Sequence, residues 1–323
     1  MRKNLKEKKS LKFLRNAYKQ IDMKGKFYIQ LILIMLVSSF VLSGCMANNK
    51  DSADEKENEM SEKINYQYVK KELYTTREDL SIYGELYMPQ EVHKKIPTII
   101  YSHGFAGSHE YGIQYAKQLA QKGYAVYCFD FCGGSPSSQS DGSTLDMSIF
   151  TEQKDLEAVI EMIQGLDFVD KDNIFLLGSS QGGAVSAITA AANQEKIRGM
   201  ILLYPAFVLV DLAKELFESV EDIPESYFYR WMSVGKVYFE KLLDYDIYDE
   251  ISSYDKDVLI IHGDKDDIVP LSYSQKAIEV YSSANLKVVK GAGHGFYDDE
   301  FEEAMQYIEN YLNEHIKDGN NNG

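Results

Sequence analysis

The chain has 323 residues, of which 45% are apolar and 12% aromatic, enough to bury a large core in one α/β domain and too apolar for a disordered protein. Residues 1–44 contain ten Lys or Arg and two Asp or Glu, so residues 45–323 carry a net charge of −24 within a whole-chain charge of −16. This excess of negative charge argues against a nucleic-acid partner, because a polyanion would be repelled.

The N-terminus is basic and is followed by an apolar run over residues 27–42. That run is short for a membrane span, which needs about 20 apolar residues. It leads directly into Leu42-Ser43-Gly44-Cys45. A charged region, an apolar region and small residues before a cysteine together resemble a bacterial lipoprotein signal peptide.

The resemblance implies that residues 1–44 are removed and that Cys45 becomes a lipidated first residue. Two or more acyl chains anchor a protein stably, so we expect an extracytoplasmic protein held on the bacterial cell membrane. The basic region is unusually long, and translation from Met23 would give a signal of ordinary length. Residues 45–64 are polar and charged, which predicts a flexible tether.

From residue 65 the pattern becomes one of strands alternating with helices, which predicts one α/β domain over residues 65–318 and a disordered tail over 319–323. We predict strands at Tyr68–Thr75, Leu80–Met88, Pro97–Tyr101, Tyr124–Phe129, Ile174–Leu177, Met200–Tyr204, Val258–Ile261 and Leu286–Val289. We predict helices at Glu110–Gln121, Thr151–Gln164, Gly182–Asn193, Leu271–Tyr281 and Asp298–Ile316. Continuous apolar strands separated by helices predict a mainly parallel sheet covered by helices on both faces.

One connection is much longer than the others. The segment 206–256 separates two predicted strands and is rich in Phe, Tyr and Trp. We predict that it forms an inserted helical cap. Most of its aromatic side chains should attach the cap to the core, and a few should line a ligand cleft.

The most specific motif is Gly178-Ser179-Ser180-Gln181-Gly182, a GxSxG sequence between an apolar strand and a predicted helix. In that context the serine sits on a sharp turn at the carboxyl edge of the sheet. The motif predicts that Ser180 is a nucleophile. A serine hydroxyl needs a histidine to accept its proton and a carboxylate to orient that histidine.

With this motif the chain resembles the serine α/β-hydrolases over about residues 66–316. The family order of nucleophile, acid and histidine implies that the base is His294, which lies between the last predicted strand and the last helix. His262 also follows a strand, but we interpret it as a packing residue.

The acid is expected on the loop His262-Gly263-Asp264-Lys265-Asp266-Asp267, which follows an apolar strand. Spacing alone leaves Asp264, Asp266 and Asp267 open. The family pattern HGxxDxxVP implies Asp266.

The resemblance also implies an oxyanion hole, formed by two backbone N–H groups that stabilise the tetrahedral intermediate. One would belong to Gln181, the residue after the nucleophile. The other would belong to Phe105, in the loop after the strand that ends at Tyr101.

The cap, the GxSxG turn and the FDFCGGS stretch at 129–135 together resemble the cinnamoyl or feruloyl esterase-like and monoacylglycerol-lipase-like branch. Asp130 in that stretch is interpreted as a structural hydrogen-bond acceptor. The resemblance implies a serine carboxylesterase that acts on small to medium acyl or aryl esters, without a cofactor or metal. The alternatives are a lipid esterase or acyltransferase, a peptidase, and an inactive binding lipoprotein.

Overall fold

The computed structural model describes residues 65–91 and 94–317. The predicted signal peptide, Cys45, the tether and the tail 319–323 therefore lie outside the described residues. Its strands are β1 (Tyr68–Arg77), β2 (Leu80–Pro89), β3 (Ile96–Ser102), β4 (Ala125–Phe129), β5 (Val169–Ser179), β6 (Gly199–Leu203), β7 (Ser226–Tyr229), β8 (Met232–Gly235), β9 (Val258–Gly263) and β10 (Ala284–Val289). Its α-helices are α1 (Ile113–Gln121), α2 (Ile149–Gln164), α3 (Gln181–Ala192), α4 (Leu209–Leu216), α5 (Val237–Glu240), α6 (Ile247–Ser252), α7 (Ser272–Val280) and α8 (Asp298–His315).

Eight strands form one sheet in the order β1-β2-β4-β3-β5-β6-β9-β10. β2 is antiparallel to both of its neighbours, and all the other pairs are parallel. The central strands are buried along their length, as expected for apolar strands covered on both faces. The predicted mainly parallel α/β-hydrolase sheet is confirmed.

Helices cover both faces of this sheet. On one face the buried side chains of α2 and α3 pack with those of the cap in a single apolar cluster. On the other face α1 and α8 contribute a second cluster, which includes Leu119, Phe301 and Ile308. Because parallel strands all end at the same edge, the loops that follow β3, β5, β9 and β10 meet there.

The cap prediction needs a correction. The segment between β6 and β9 contains α4, α5 and α6, but it also contains the antiparallel hairpin β7–β8. The two-residue loop of this hairpin is Arg230-Trp231 rather than the Asn-Gly or Gly-containing pair that usually marks such a turn. Because the usual turn residues are absent from this loop, the sequence does not indicate the hairpin and predicts only helices for the cap.

Among residues 65–91 and 94–317, no helix combines the length and the apolar character that a bilayer crossing requires.

Candidate active site

The turn between β5 and α3 places Ser180 at the carboxyl edge of the sheet. Ser180 has φ 51° and ψ −120°, a backbone conformation that costs a non-glycine residue about 1–3 kcal/mol. A Cβ atom on Gly178 would lie 2.3 Å from the carbonyl oxygen of Gly182. A Cβ atom on Gly182 would lie 2.3 Å from the carbonyl oxygen of His103. The two glycines are thus needed for the turn that exposes the serine.

The structure brings together the three predicted triad residues. His294 Nε2 lies 2.9 Å from Ser180 Oγ, and His294 Nδ1 lies 2.7 Å from Asp266 Oδ2. Asp266 comes from the loop after β9, and His294 comes from the loop after β10. A carboxylate oxygen can only accept, so Nδ1 carries the proton and Nε2 is free to accept the serine hydroxyl hydrogen.

The Asp266 carboxylate is fully buried and well supplied with hydrogen bonds. Its Oδ1 accepts the backbone N–H groups of Ile268 and Val269, both at 2.9 Å. Burial acts to raise the pKa of Asp266, but hydrogen bonds from His262, His294 and Val269 outweigh it and hold the pKa far below its usual range. The carboxylate is therefore ionised at every pH at which the protein would work.

The rival aspartates on this loop face elsewhere. Asp264 is exposed, and its Oδ1 accepts the backbone N–H of Gly291 at 2.7 Å. Asp267 is also exposed. Geometry favours Asp266, because in the part of the chain that the structure describes it is the aspartate of this loop whose carboxylate contacts His294.

His262 takes the packing role expected of it. It is buried, its Nδ1 lies 2.7 Å from Ser274 Oγ, and its Nε2 lies 2.9 Å from the Val269 carbonyl oxygen. The same Nε2 lies 3.2 Å from Asp266 Oδ2. His262 thus braces the loop that carries the acid.

The two predicted oxyanion donors flank Ser180. Among the described residues, neither the Phe105 N–H nor the Gln181 N–H has a protein acceptor. Gln181 begins α3, and the first N–H groups of a helix lack an intrahelical partner. A Cβ atom on Gly104 would approach Ser180 Cβ to 3.1 Å, so this loop passes close to the nucleophile. Both donors are available to a substrate oxygen.

His103 holds the oxyanion loop in place through two hydrogen bonds. It is buried, its Nδ1–H donates to the Gly104 carbonyl oxygen at 2.8 Å, and its Nε2 accepts the Phe131 N–H at 3.2 Å. Burial lowers the pKa of His103, which keeps the imidazole neutral and able to make both bonds. The loop is thereby attached to the end of β4.

A buried polar chain that the sequence did not reveal runs under the site. Gln181 Nε2 donates to Glu152 Oε2 at 2.8 Å, and Gln181 Oε1 accepts the hydroxyl of Tyr238 at 2.6 Å. Burial raises the pKa of Glu152 well above its usual range. The Tyr238 ring also contacts the Phe105 ring, with centroids 5.6 Å apart. One cap residue thus contacts both oxyanion residues.

Tyr204 was also missed. It follows β6, has φ 38°, and its ring centroid lies 4.7 Å from that of His294 and 5.2 Å from that of Phe296. The sequence predicts Tyr204 as a strand residue because it ends an apolar run, whereas the strand ends at Leu203. Its position at the sheet edge lets it hold the imidazole in place.

A cleft of about 460 Å³ opens beside Ser180, between the sheet edge and the cap. One wall is aromatic and includes Phe105, Tyr229, Trp231 and Tyr238. Another contains aliphatic side chains from α4 and the loop after β9. The described residues that line the cleft include Arg230 and no aspartate or glutamate. A cleft that is mostly apolar, with a few polar groups at one end, is the usual form of a small-molecule site.

Within residues 65–91 and 94–317, no group of three or more His, Cys, Asp or Glu side chains could hold a metal ion. The acidic run Asp298-Asp299-Glu300 forms the first turn of α8, where negative charge interacts favourably with the helix dipole.

Comparison with known proteins gives a family match over residues 93–257, to the family described as serine aminopeptidase, S33 (Hydrolase_4). The match contains the oxyanion loop and the GxSxG turn. A proline iminopeptidase of Thermoplasma volcanium is 29% identical over 157 residues, which are 48% of this chain and 49% of that protein. The chain thus matches about half the length of that relative. An AB hydrolase superfamily protein of Bacillus subtilis, YisY, is 25% identical over 67% of this chain and 91% of its own.

Solved structures show the same fold. Est1E of Butyrivibrio proteoclasticus with bound ferulic acid has a TM-score of 0.70 and 28% identity, over 76% of this chain and 99% of that one. A monoacylglycerol lipase of Paleococcus ferrophilus has a TM-score of 0.57 and 20% identity, over 73% of this chain and 99% of that one.

Proposed function

Because the chain belongs to the serine aminopeptidase S33 (Hydrolase_4) family of serine α/β-hydrolases, we propose that it is a carboxylesterase that cleaves small to medium acyl or aryl esters. The observation that carries this proposal is the hydrogen-bonded chain Ser180–His294–Asp266, which ends at a mostly apolar cleft. The likeness to Est1E, which binds ferulic acid, supports a substrate with an aryl acyl group.

The first step of the proposed reaction forms an acyl-enzyme. Ser180 Oγ attacks the ester carbonyl carbon while its proton passes to His294 Nε2. The negative charge that develops on the carbonyl oxygen is stabilised by the N–H groups of Phe105 and Gln181. Asp266 stabilises the imidazolium, which then gives its proton to the departing alcohol.

The second step releases the acid. A water molecule takes the place of the departing alcohol. This water attacks the acyl carbon while His294 Nε2 accepts a proton from it. The oxyanion forms again at the same two N–H groups. Collapse of the tetrahedral intermediate breaks the bond between the acyl carbon and Ser180 Oγ, and His294 Nε2 returns the proton to Ser180 Oγ.

The charges in the cleft favour an ester over an aminopeptidase substrate. A free N-terminal ammonium group bound there would need a carboxylate or other strong acceptors, because an unpaired charge is costly to desolvate. The cleft-lining residues include no aspartate or glutamate in the part of the chain that the structure describes, and Arg230 would repel an ammonium group.

A serine-directed fluorophosphonate tests the nucleophile. We expect it to label the wild-type protein and not the Ser180→Ala variant. Undiminished labelling of Ser180→Ala, or no labelling of the wild type, would remove the basis of the proposal.

A substrate panel tests the reaction class. It should contain p-nitrophenyl esters of increasing chain length, feruloyl esters, monoacylglycerols and amino-acid p-nitroanilides. We expect hydrolysis of esters and little or none of the anilides. Faster turnover of the anilides than of any ester would establish an aminopeptidase instead. Preference for monoacylglycerols would favour a lipid esterase, for which the aliphatic wall of the cleft provides an acyl-chain surface.

We also propose that Cys45 is lipidated and holds the enzyme on the outer face of the bacterial cell membrane. The proposal is supported by the sequence that precedes the cysteine. In a bacterial host, metabolic labelling with an alkyne fatty acid should mark the wild type and not Cys45→Ala. Equal labelling of the wild type and of Cys45→Ala would contradict the proposed lipidation of Cys45.

A further inference from the structure

Arg230 occupies an unusual position for so large a side chain. It is the first residue of the two-residue loop between β7 and β8, and its φ is 53°. A left-handed conformation costs a residue with a side chain roughly 1–2 kcal/mol, so such loops favour glycine or asparagine. Backbone strain of this kind occurs often where a side chain serves a ligand site.

The Arg230 side chain lines the cleft beside Ser180. Its guanidinium carbon lies 5.5 Å from the centre of the Tyr229 ring and 5.9 Å from that of Trp231. Both of these rings contact the Phe105 ring, with centroids 5.4 Å and 6.2 Å apart. Arg230, which is exposed, therefore lies at the far end of the aromatic wall that begins at an oxyanion residue.

The Arg230 guanidinium has no carboxylate partner among residues 65–91 and 94–317. Within those residues its only hydrogen bond is from Nε to the Tyr229 hydroxyl, at 3.3 Å. A guanidinium carries five N–H donors, so most of them remain available. The positive charge of Arg230 is unpaired although residues 45–323 carry a net charge of −24. That value follows from −16 for the whole chain and +8 for residues 1–44.

We propose that Arg230 is a specificity-determining residue that binds a carboxylate at the end of the substrate remote from the scissile ester. Substrates of this class are monoesters of dicarboxylic acids and aryl esters that carry a free carboxylate. One guanidinium neutralises one carboxylate and binds it through two parallel hydrogen bonds, a bidentate contact. A phosphate dianion would need a second positive charge for its neutralisation. The inference rests on the proposed esterase activity and narrows its substrates.

The kinetic test compares two substrates that differ only in charge: a p-nitrophenyl ester with a free terminal carboxylate and the same compound with that carboxylate methylated. We expect the wild type to have the higher kcat/KM for the acid. In Arg230→Gln the ratio of the two kcat/KM values should fall about tenfold to a hundredfold, since a hydrogen bond to a charged group contributes about 1.5–3 kcal/mol. The ratio cancels any general effect of the substitution on the hairpin.

Lys236→Gln is the matched control, because it removes the same charge from the cap at a residue that does not line the cleft. Its ratio should equal that of the wild type. A wild-type ratio near one, an unchanged ratio in Arg230→Gln, or an equal fall in Lys236→Gln would overturn the inference. In each of these cases hydrolysis of the methylated ester would leave the proposed esterase activity intact.

A binding test is independent of turnover. Trp231 is the only tryptophan of the chain and adjoins Arg230, so its fluorescence should report occupancy of the cleft. In a Ser180→Ala background, 3-phenylpropionate should bind more tightly than 3-phenylpropionamide, and the added change Arg230→Gln should remove that preference. Equal affinity for both compounds, or a preference that survives Arg230→Gln, would overturn the inference even if no ester were hydrolysed.

Discussion

Two of the histidine–aspartate pairs in the described part of the chain have nearly the same geometry and different surroundings. His294 Nδ1 lies 2.7 Å from Asp266, and His109 Nδ1 lies 2.8 Å from Asp130. Both carboxylates are fully buried and accept backbone N–H groups. Only the first pair meets a serine hydroxyl, at Ser180.

The second pair is enclosed on all sides. Asp130 also accepts the backbone N–H groups of His109 and Gln139, which ties the end of β4 to two loops, and the Tyr83 ring stacks edge-on against His109. Asp130 is thus a hydrogen-bond acceptor, as predicted. The comparison teaches that a histidine–carboxylate pair is not itself an active site, because chemistry also needs a nucleophile and space for a substrate.

The largest expected effect is a loss of kcat on substitution in the first pair, His294–Asp266. In Asp266→Asn the amide can no longer hold the His294 Nδ1–H, so the imidazole adopts the wrong tautomer and kcat should fall about 10⁴-fold. Hydrolysis of a p-nitrophenyl ester measures this. Asp264→Asn and Asp267→Asn are matched controls and should retain activity. A large loss in either control with little loss in Asp266→Asn would reassign the acid.

Substitution in the second pair, His109–Asp130, should lower the free energy of unfolding rather than the activity. Asp130→Asn leaves buried donors without a charged acceptor, and breaking a buried pair of this kind costs about 3–5 kcal/mol. Urea unfolding should show this loss, while kcat per folded enzyme stays within about twofold of the wild type. A fall in kcat comparable to that of Asp266→Asn would erase the distinction between the two pairs.

A smaller effect is expected at Tyr238, which positions the site through Gln181. Tyr238→Phe removes one hydrogen bond and leaves the buried Gln181 Oε1 without a donor, at a cost of about 1–3 kcal/mol, part of which should appear as a roughly tenfold lower kcat with KM little changed. The control is Tyr227→Phe, another cap tyrosine, which packs against Phe239 and has no contact with Gln181. Equal effects of both changes would show general loosening of the cap.

The smallest effect concerns pH. Burial acts to lower the pKa of His109, but the hydrogen bond and the charge of Asp130, together with Glu85 and Glu110, outweigh it, so the pKa is raised. The stability from this shift is fully present below the unfolded pKa of about 6.5 and is lost as the pH rises through the folded pKa. The free energy of unfolding lost in His109→Gln should therefore be larger near pH 6 than near pH 9. The same pH dependence of this loss in an Asp130→Asn background would contradict this account.

Prediction from sequence succeeded where the signal is local or ordered along the chain. The strand, the glycines and the serine of the GxSxG turn are adjacent, and steric limits on the backbone allow few other structures for them. The predicted helices Thr151–Gln164 and Asp298–Ile316 agree with α2 and α8 to within two residues. The choice of Asp266 over its neighbours needed the family pattern, because side-chain direction within a loop is not encoded by spacing.

The sequence by itself determined the alternation of strands and helices and the nucleophile turn, because each depends on residues close together in the chain, and the resemblance to a family added the candidates for acid and base. Only the tertiary structure decided what surrounds them. Glu152 lies in an ordinary amphipathic helix, Tyr238 in an aromatic-rich cap, and Arg230 in a loop without the usual turn residues. The hydrogen bond from Tyr238 to Gln181 joins residues 57 positions apart, and the Tyr238 ring also contacts Phe105, so both contacts exist only once the cap has packed over the sheet edge.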